Sequence, residues 1–362
     1  MPAGPTVVRR RPRASIPVRA GLAALLTAVL TVVAMPIGRA APAPPQQPPA
    51  PTSGPGGTAT RYAEMRVGRG GAGVDGFYVF APAGSERGPM PRSLPLVIVM
   101  HGYFEYWGYR QLAALVRHTV LAGNVVIYPR WQTDVATPCP GPYDIAPCLD
   151  SATAGIRGGL RFLAAHPAWV QPRLGQASWF GFSFGGIITA DLANRWRELS
   201  LPRPRAIFLD DPHDGGLAGA GEPALDDDLA GIPRSTRFVC HSGADGVISE
   251  PGKARSSCNA VFPRLTSIPR AQKVLVLTRT DTHGAPLLSS AHGVCAAGPG
   301  QADAYDWNFC WRVWDATRSD ALHGTRSPWG PARLAGHRGL GRWSDGVPVL
   351  PLVVRHSAPI AG

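Results

Sequence analysis

The chain carries only two lysines, Lys253 and Lys273, and its first 40 residues contain no acidic residue. Its early apolar stretch, Gly21 to Ala34, is about 14 residues long, short of the roughly 20 that a membrane-spanning helix needs. CxxC is absent, and His292 with Cys295 is too sparse for a zinc site, so no metal or other cofactor is expected. No internal repeat is visible. Nor does any basic cluster interleaved with aromatic residues follow the first 40 positions, which argues against a nucleic-acid partner despite the net charge of +12.

What is present fits a packed protein. Of 362 residues, 44% are hydrophobic and 17% charged, which excludes a disordered, collagenous or coiled-coil chain. The basic excess is concentrated at the start, where Arg9, Arg10, Arg11, Arg13, Arg19 and Arg39 precede any carboxylate. The order of charged segment, apolar run and small residues (Gly38-Arg39-Ala40) is that of a secretory signal. An uncleaved N-terminal anchor is the alternative. We therefore expect a signal over 1–40 and an exported protein without stable membrane insertion once the signal is removed. Residues 41–60 are rich in Pro, Gly, Ser and Thr and read as a tether unable to pack. One folded domain is expected over 61–362.

Six cysteines in an exported chain point to disulfides. They fall into three neighbouring couples, Cys139/Cys148, Cys240/Cys258 and Cys295/Cys310; sequential pairing is the expectation among the 15 possible connectivities.

Along 61–362, β runs alternate with helical patterns. Leu94 to Met100 is continuously apolar, as in a parallel strand buried on both faces. Further strands are predicted over 125–128, 177–182, 205–209, 236–241 and 273–278, with antiparallel strands over 63–67 and 74–80. Helices are predicted over 109–122, 151–166 (with Ser151 as cap), 184–199, 252–260 and 303–322. The alternation predicts an α/β fold, with a mainly parallel, doubly wound sheet flanked by helices and a C-terminal extension over 300–362. In that extension 341–348 reads as a tight turn.

Gly181-Phe182-Ser183-Phe184-Gly185-Gly186 lies where a strand ends and a helix begins. A serine on so sharp a turn projects its hydroxyl clear of the sheet, and flanking glycines leave room for the close approach of strand and helix. The helix N-terminus also favours negative charge. His101-Gly102-Tyr103 follows strand 94–100, a place that can supply a second donor to a developing oxyanion. The backbone N–H groups of Tyr103 and Phe184 are the candidates, with His101 propping the loop. Serine needs a base held by a third group. Asp245 follows strand 236–241 and His283 follows strand 273–278, giving the chain order serine, acid, histidine. Asp210, Asp211 and Asp214 compete for the acid and His292 for the base; His213 and His241 also stay open.

These residues resemble the α/β-hydrolase superfamily, and most of all its exported bacterial esterases, similar in layout to dienelactone hydrolases and cutinase-like polyester-cleaving enzymes. The resemblance spans about 94–295 and rests on His101-Gly102, Gly181 to Gly186, Asp245 and His283. It implies an eight-stranded core sheet and a serine hydrolase acting through Ser183, His283 and Asp245 on small-molecule, lipid or polymer esters. The excursion 131–150 and the tail 300–362 depart from that pattern. An acyltransferase or peptidase on the same residues, and a silent binding protein on a hydrolase scaffold, are the alternatives. Aromatic residues near the site (Phe104, Tyr106, Trp107, Trp131, Phe182, Phe184) could line an apolar pocket or simply pack.

Overall fold

The computed structural model describes residues 43–85, 88–103, 105–106, 108–134, 137–139, 145–212, 225–246 and 258–360. The expected signal, Phe104, Trp107, His213 and Asp214 lie outside them, as does the start of the helix predicted over 252–260. Residues Pro44–Gly362 form one unit.

The apolar runs become the strands of one sheet: β1 (Glu64–Gly70), β2 (Gly76–Ala83), β3 (Ser93–Met100), β4 (Val125–Arg130), β5 (Gln171–Phe182), β6 (Pro204–Asp210), β7 (Arg237–Gly243), β8 (Lys273–Thr278) and β9 (Val353–Arg355). Their order is β1-β2-β4-β3-β5-β6-β7-β8-β9. β3 to β8 run parallel, while β1, β2 and β9 enter antiparallel pairings. This is the mainly parallel α/β architecture read from the sequence, with one additional edge strand. β9 has only three residues, too few to carry a periodicity of its own.

Alternate side chains of the central strands point to opposite faces, and both faces are covered. Ile98, Trp179, Ile207 and Leu275 pack with residues of α2 (Ala146–Ala165), α3 (Phe184–Asn194) and α4 (Cys258–Arg264). Val97, Phe180, Phe208 and Val276 pack with α1 (Ala113–Leu121), α5 (Trp311–His323) and the chain beyond α5, through Val116, Trp314, Leu340 and Trp343. That double burial explains why these strands lack a polar-apolar alternation.

Several boundaries differ from the sequence reading. α2 begins at Ala146, with Pro147 in its first turn where the missing N–H costs nothing. Ser151 is therefore not a cap; its hydroxyl donates to the Val74 carbonyl at 2.6 Å. The helix predicted over 303–322 opens as a π-helical turn, Asp306–Cys310, before α5. Residues 341–348 do form a turn, bridged at Arg342 and Pro348.

The Pro-rich segment requires the largest correction. Residues 44–59 lie against the domain instead of forming a tether. The Gln46 N–H donates to the Ser344 hydroxyl at 2.9 Å and the Ser344 N–H to the Gln46 carbonyl at 3.0 Å, the Ala285 N–H donates to Pro45 O at 3.0 Å, and Trp307 Nε1 donates to Pro48 O at 3.1 Å. Gln47 reaches the carbonyls of Pro286 and Leu287, and the Gly56 N–H donates to Asp315 at 3.0 Å. Proline composition predicts poor packing of its own side chains, but it leaves the carbonyls free as acceptors, and the domain supplies the donors.

The three disulfides are Cys139–Cys148, Cys240–Cys258 and Cys295–Cys310, the sequential pairing expected. They suggest an oxidising compartment. Among the described residues no helix is long and apolar enough to cross a membrane.

Candidate active site

Ser183 sits between β5 and α3 with φ 56° and ψ −128°, a left-handed conformation that costs a non-glycine residue of order 1–3 kcal/mol. The surroundings hold it there. Its N–H donates to the Asp210 carbonyl at 2.9 Å, and its own carbonyl accepts from the Gly186 N–H at 2.8 Å. The glycine requirement is steric: a Cβ at Gly185 would overlap the His101 carbonyl, and one at Gly181 would meet Thr189 and the Gly185 carbonyl. As the first residue of α3, Phe184 has a backbone N–H with no acceptor inside the helix. Gly102 packs so closely on the nucleophile turn that a Cβ there would lie 3.1 Å from Ser183 Cβ. The loop carrying Tyr103 thus runs beside Ser183.

His101 is the prop foreseen for that loop. It is fully buried, and its ring stacks on Trp131 at 4.7 Å and on Tyr128 at 5.5 Å. Nδ1 lies 2.7 Å from the Gly102 carbonyl, and burial lowers its pKa to about 4, so the neutral ring donates from Nδ1. Further along, Glu105 accepts from the Tyr128 hydroxyl at 2.9 Å and from the Gln111 N–H. Burial raises its carboxyl to about 7.

The imidazole that meets the serine is His292. Its Nε2 lies 2.9 Å from Ser183 Oγ, and its ring rests against Phe182 with centroids 5.1 Å apart. His292 Nδ1 faces Asp211 Oδ2 at 3.5 Å, longer than a hydrogen bond. Asp211 follows directly on β6 with φ 44°. It is fully buried; its N–H donates to the His241 carbonyl at 2.8 Å, and Oδ1 accepts from the Gly243 N–H at 3.0 Å.

The acid and base favoured by the sequence, Asp245 and His283, are not brought to Ser183. His283 Nε2 pairs with Asp345 at 2.7 Å, on a partly exposed surface beside Trp343. Asp245 accepts from the Thr280 hydroxyl. The cause lies in the chain path after β8. Asp281 and Leu288 bridge each other, so the intervening residues form a loop whose His283 faces the tail. The chain then returns and delivers His292. Asp281 itself is held from the tail, its Oδ2 accepting from Trp343 Nε1 at 3.2 Å and from the Leu350 N–H at 2.9 Å. Asp211 follows β6 immediately, whereas Asp245 stands two residues beyond β7. For His292 the sequence offers only the glycine after it, Gly293, which takes φ 90°.

The aromatic residues mostly pack. Trp131, Phe182 and Phe184 are buried, with Trp131 and Phe184 rings 5.4 Å apart and Tyr103 edge-on to Phe184 at 5.6 Å. Beside His292 opens a cavity of about 180 Å³ bordered by Ser289, Gly293, Asp303 and Asp306, roomy enough for water molecules. Burial raises Asp306 to about 8.

One grouping among the described residues brings metal-ligand types together: Asp210, His241 and Cys295. Cys295 sulfur is bonded to Cys310, which removes the thiolate such a site would use. The trio therefore does not suit an ion.

No protein-family model matches the chain, and no curated protein matches it with significance.

Proposed function

We propose that the protein is an exported serine hydrolase of the α/β-hydrolase type, cleaving carboxylic esters through Ser183, His292 and Asp211. The observation that carries this reading is the 2.9 Å approach of His292 Nε2 to the hydroxyl of a serine held in a left-handed turn at a helix N-terminus. The strand order supports it too. The nucleophile follows β5, the acid β6 and the base β8, all at the same edge of a sheet whose first eight strands run 1-2-4-3-5-6-7-8.

In the proposed mechanism His292 Nε2 takes the Ser183 proton as Oγ attacks the ester carbonyl. Asp211 holds the imidazole with Nδ1 protonated and stabilises the imidazolium. The N–H groups of Phe184 and Tyr103 receive the oxyanion, and the imidazolium then protonates the departing alkoxide. Water activated by the same base releases the acyl group from Ser183. Three disulfides and the arginine-led N-terminal pattern support export.

A fluorophosphonate probe tests the reading, with mass spectrometry locating the adduct. Labelling at Ser183 that is lost in His292→Ala is the expected result. Folded protein that takes no label, and cleaves no nitrophenyl ester of any chain length, overturns it.

A further inference from the structure

Below the site lies a second Asp–His pair, fully buried and assigned no step above. Asp210 ends β6, His241 lies in β7 and Thr278 ends β8; all three and Ser290 have no exposed surface. His241 Nδ1 meets Asp210 Oδ1 at 2.7 Å, and His241 Nε2 meets Thr278 Oγ1 at 2.9 Å. Thr278 Oγ1 meets Ser290 Oγ at 2.7 Å. At the far end of the pair, Asp210 Oδ2 accepts from the Cys295 N–H at 3.3 Å. The chain of contacts thus grips the base loop at two points, Ser290 and Cys295, and His292 lies between them.

The same two residues reach the other members of the site through their backbones. Asp210 O accepts the Ser183 N–H, and His241 O accepts the Asp211 N–H. Ser290 Oγ also accepts from the Ala244 N–H at 3.0 Å, and the Phe309 ring lies 4.6 Å from the His241 ring. Buried polar groups are costly unless satisfied, and a fully satisfied chain specifies one geometry.

We propose that Asp210 and His241, acting through Thr278 and Ser290, are positioning residues that fix the loop 290–295 and so aim His292 at Ser183. This deepens the hydrolase reading and rests on it for its catalytic consequence, though not for its structural one. A displacement of about 1 Å in a reacting group can cost 10²-fold in rate.

Thr278→Val cuts the chain at its middle while keeping the side-chain shape, and Thr278→Ser keeps the hydroxyl. In folded protein, Thr278→Val is expected to speed amide hydrogen exchange over 288–296. It should also lower kcat on a nitrophenyl ester and the rate of Ser183 labelling by about 10- to 100-fold, with KM within about twofold. Thr278→Ser should restore both. Should Thr278→Val not fold, Ser290→Ala severs the same chain one link further on, with the same expectations. Wild-type exchange and labelling rates in the folded variant overturn the proposal. If wild-type Ser183 takes no label, the hydrolase reading falls, and loop exchange alone then decides the positioning: faster exchange upholds it and unchanged exchange overturns it.

Discussion

At the scale of single residues, the two histidines between β8 and α5 have opposite surroundings. His292 faces the Ser183 hydroxyl and His283 a surface carboxylate. Ser183→Ala and His292→Ala are expected to lower turnover by at least about 10⁴-fold, and Asp211→Asn by about the same factor through loss of the correct tautomer. His283→Ala and Asp245→Asn should stay within a few-fold of wild type, as measured by kcat/KM on one nitrophenyl ester. Glu105 gives a pH effect with a defined sign. Its carboxyl rises from 4.5 to about 7 on folding, so between those values the unfolded chain releases a proton that the folded protein keeps. Stability therefore falls as pH rises across that window, by on the order of 3 kcal/mol from this group. Denaturant unfolding at pH 5 and pH 8 should show Glu105→Gln improving by about that amount relative to wild type, whereas a constant difference would contradict it. Ser183 was legible in the sequence because the glycines that permit its turn are its neighbours in the chain. Asp211 and His292 were not resolved from their rivals, since which carboxylate and which imidazole arrive depends on loop paths.

Among the elements, the central strands were legible because burial on both faces writes a continuous apolar run. The start of α2 was not, because Pro147 sits inside its first turn and the cysteine-rich excursion before it has no periodicity. The placement of the base depends on contacts made by several elements. Cys295, three residues after His292, is tied to Cys310 at the end of the π-helical turn, closing a separation of 15 residues. Replacing both cysteines with alanine should cost about 3 kcal/mol of stability by the chain-entropy account. The same change should slow Ser183 labelling more than removal of the Cys139–Cys148 bridge, which lies outside the base loop. Equal labelling rates in the two double variants would show that the bridge does not hold His292.

For the whole molecule, the Pro-rich segment changes the reckoning of where the folded domain begins. Composition marked residues 41–60 as linker, and composition alone cannot show that another part of the domain will offer donors to its carbonyls. A chain starting at Thr60 loses the contacts of Pro45, Gln46, Gln47, Pro48 and Gly56. It is expected to melt a few degrees lower than one starting at Pro44, since about 1 kcal/mol moves the midpoint by roughly 1–2 °C at this size and several contacts are lost. Calorimetry on the two proteins checks this; identical midpoints would return the segment to the status of a tether.

The grip of Trp343 and Leu350 on Asp281 has a consequence for truncation. Ser183 and Asp211 precede residue 212 in the chain, yet the loop that carries His292 is anchored at Asp281 by Trp343 and Leu350. A polypeptide ending at Gly341 would possess the Ser183 turn without that support for its imidazole partner. A chain ending at Gly341 should accordingly retain most of the sheet by circular dichroism, losing β9 alone, while Ser183 reacts with the phosphonate far more slowly.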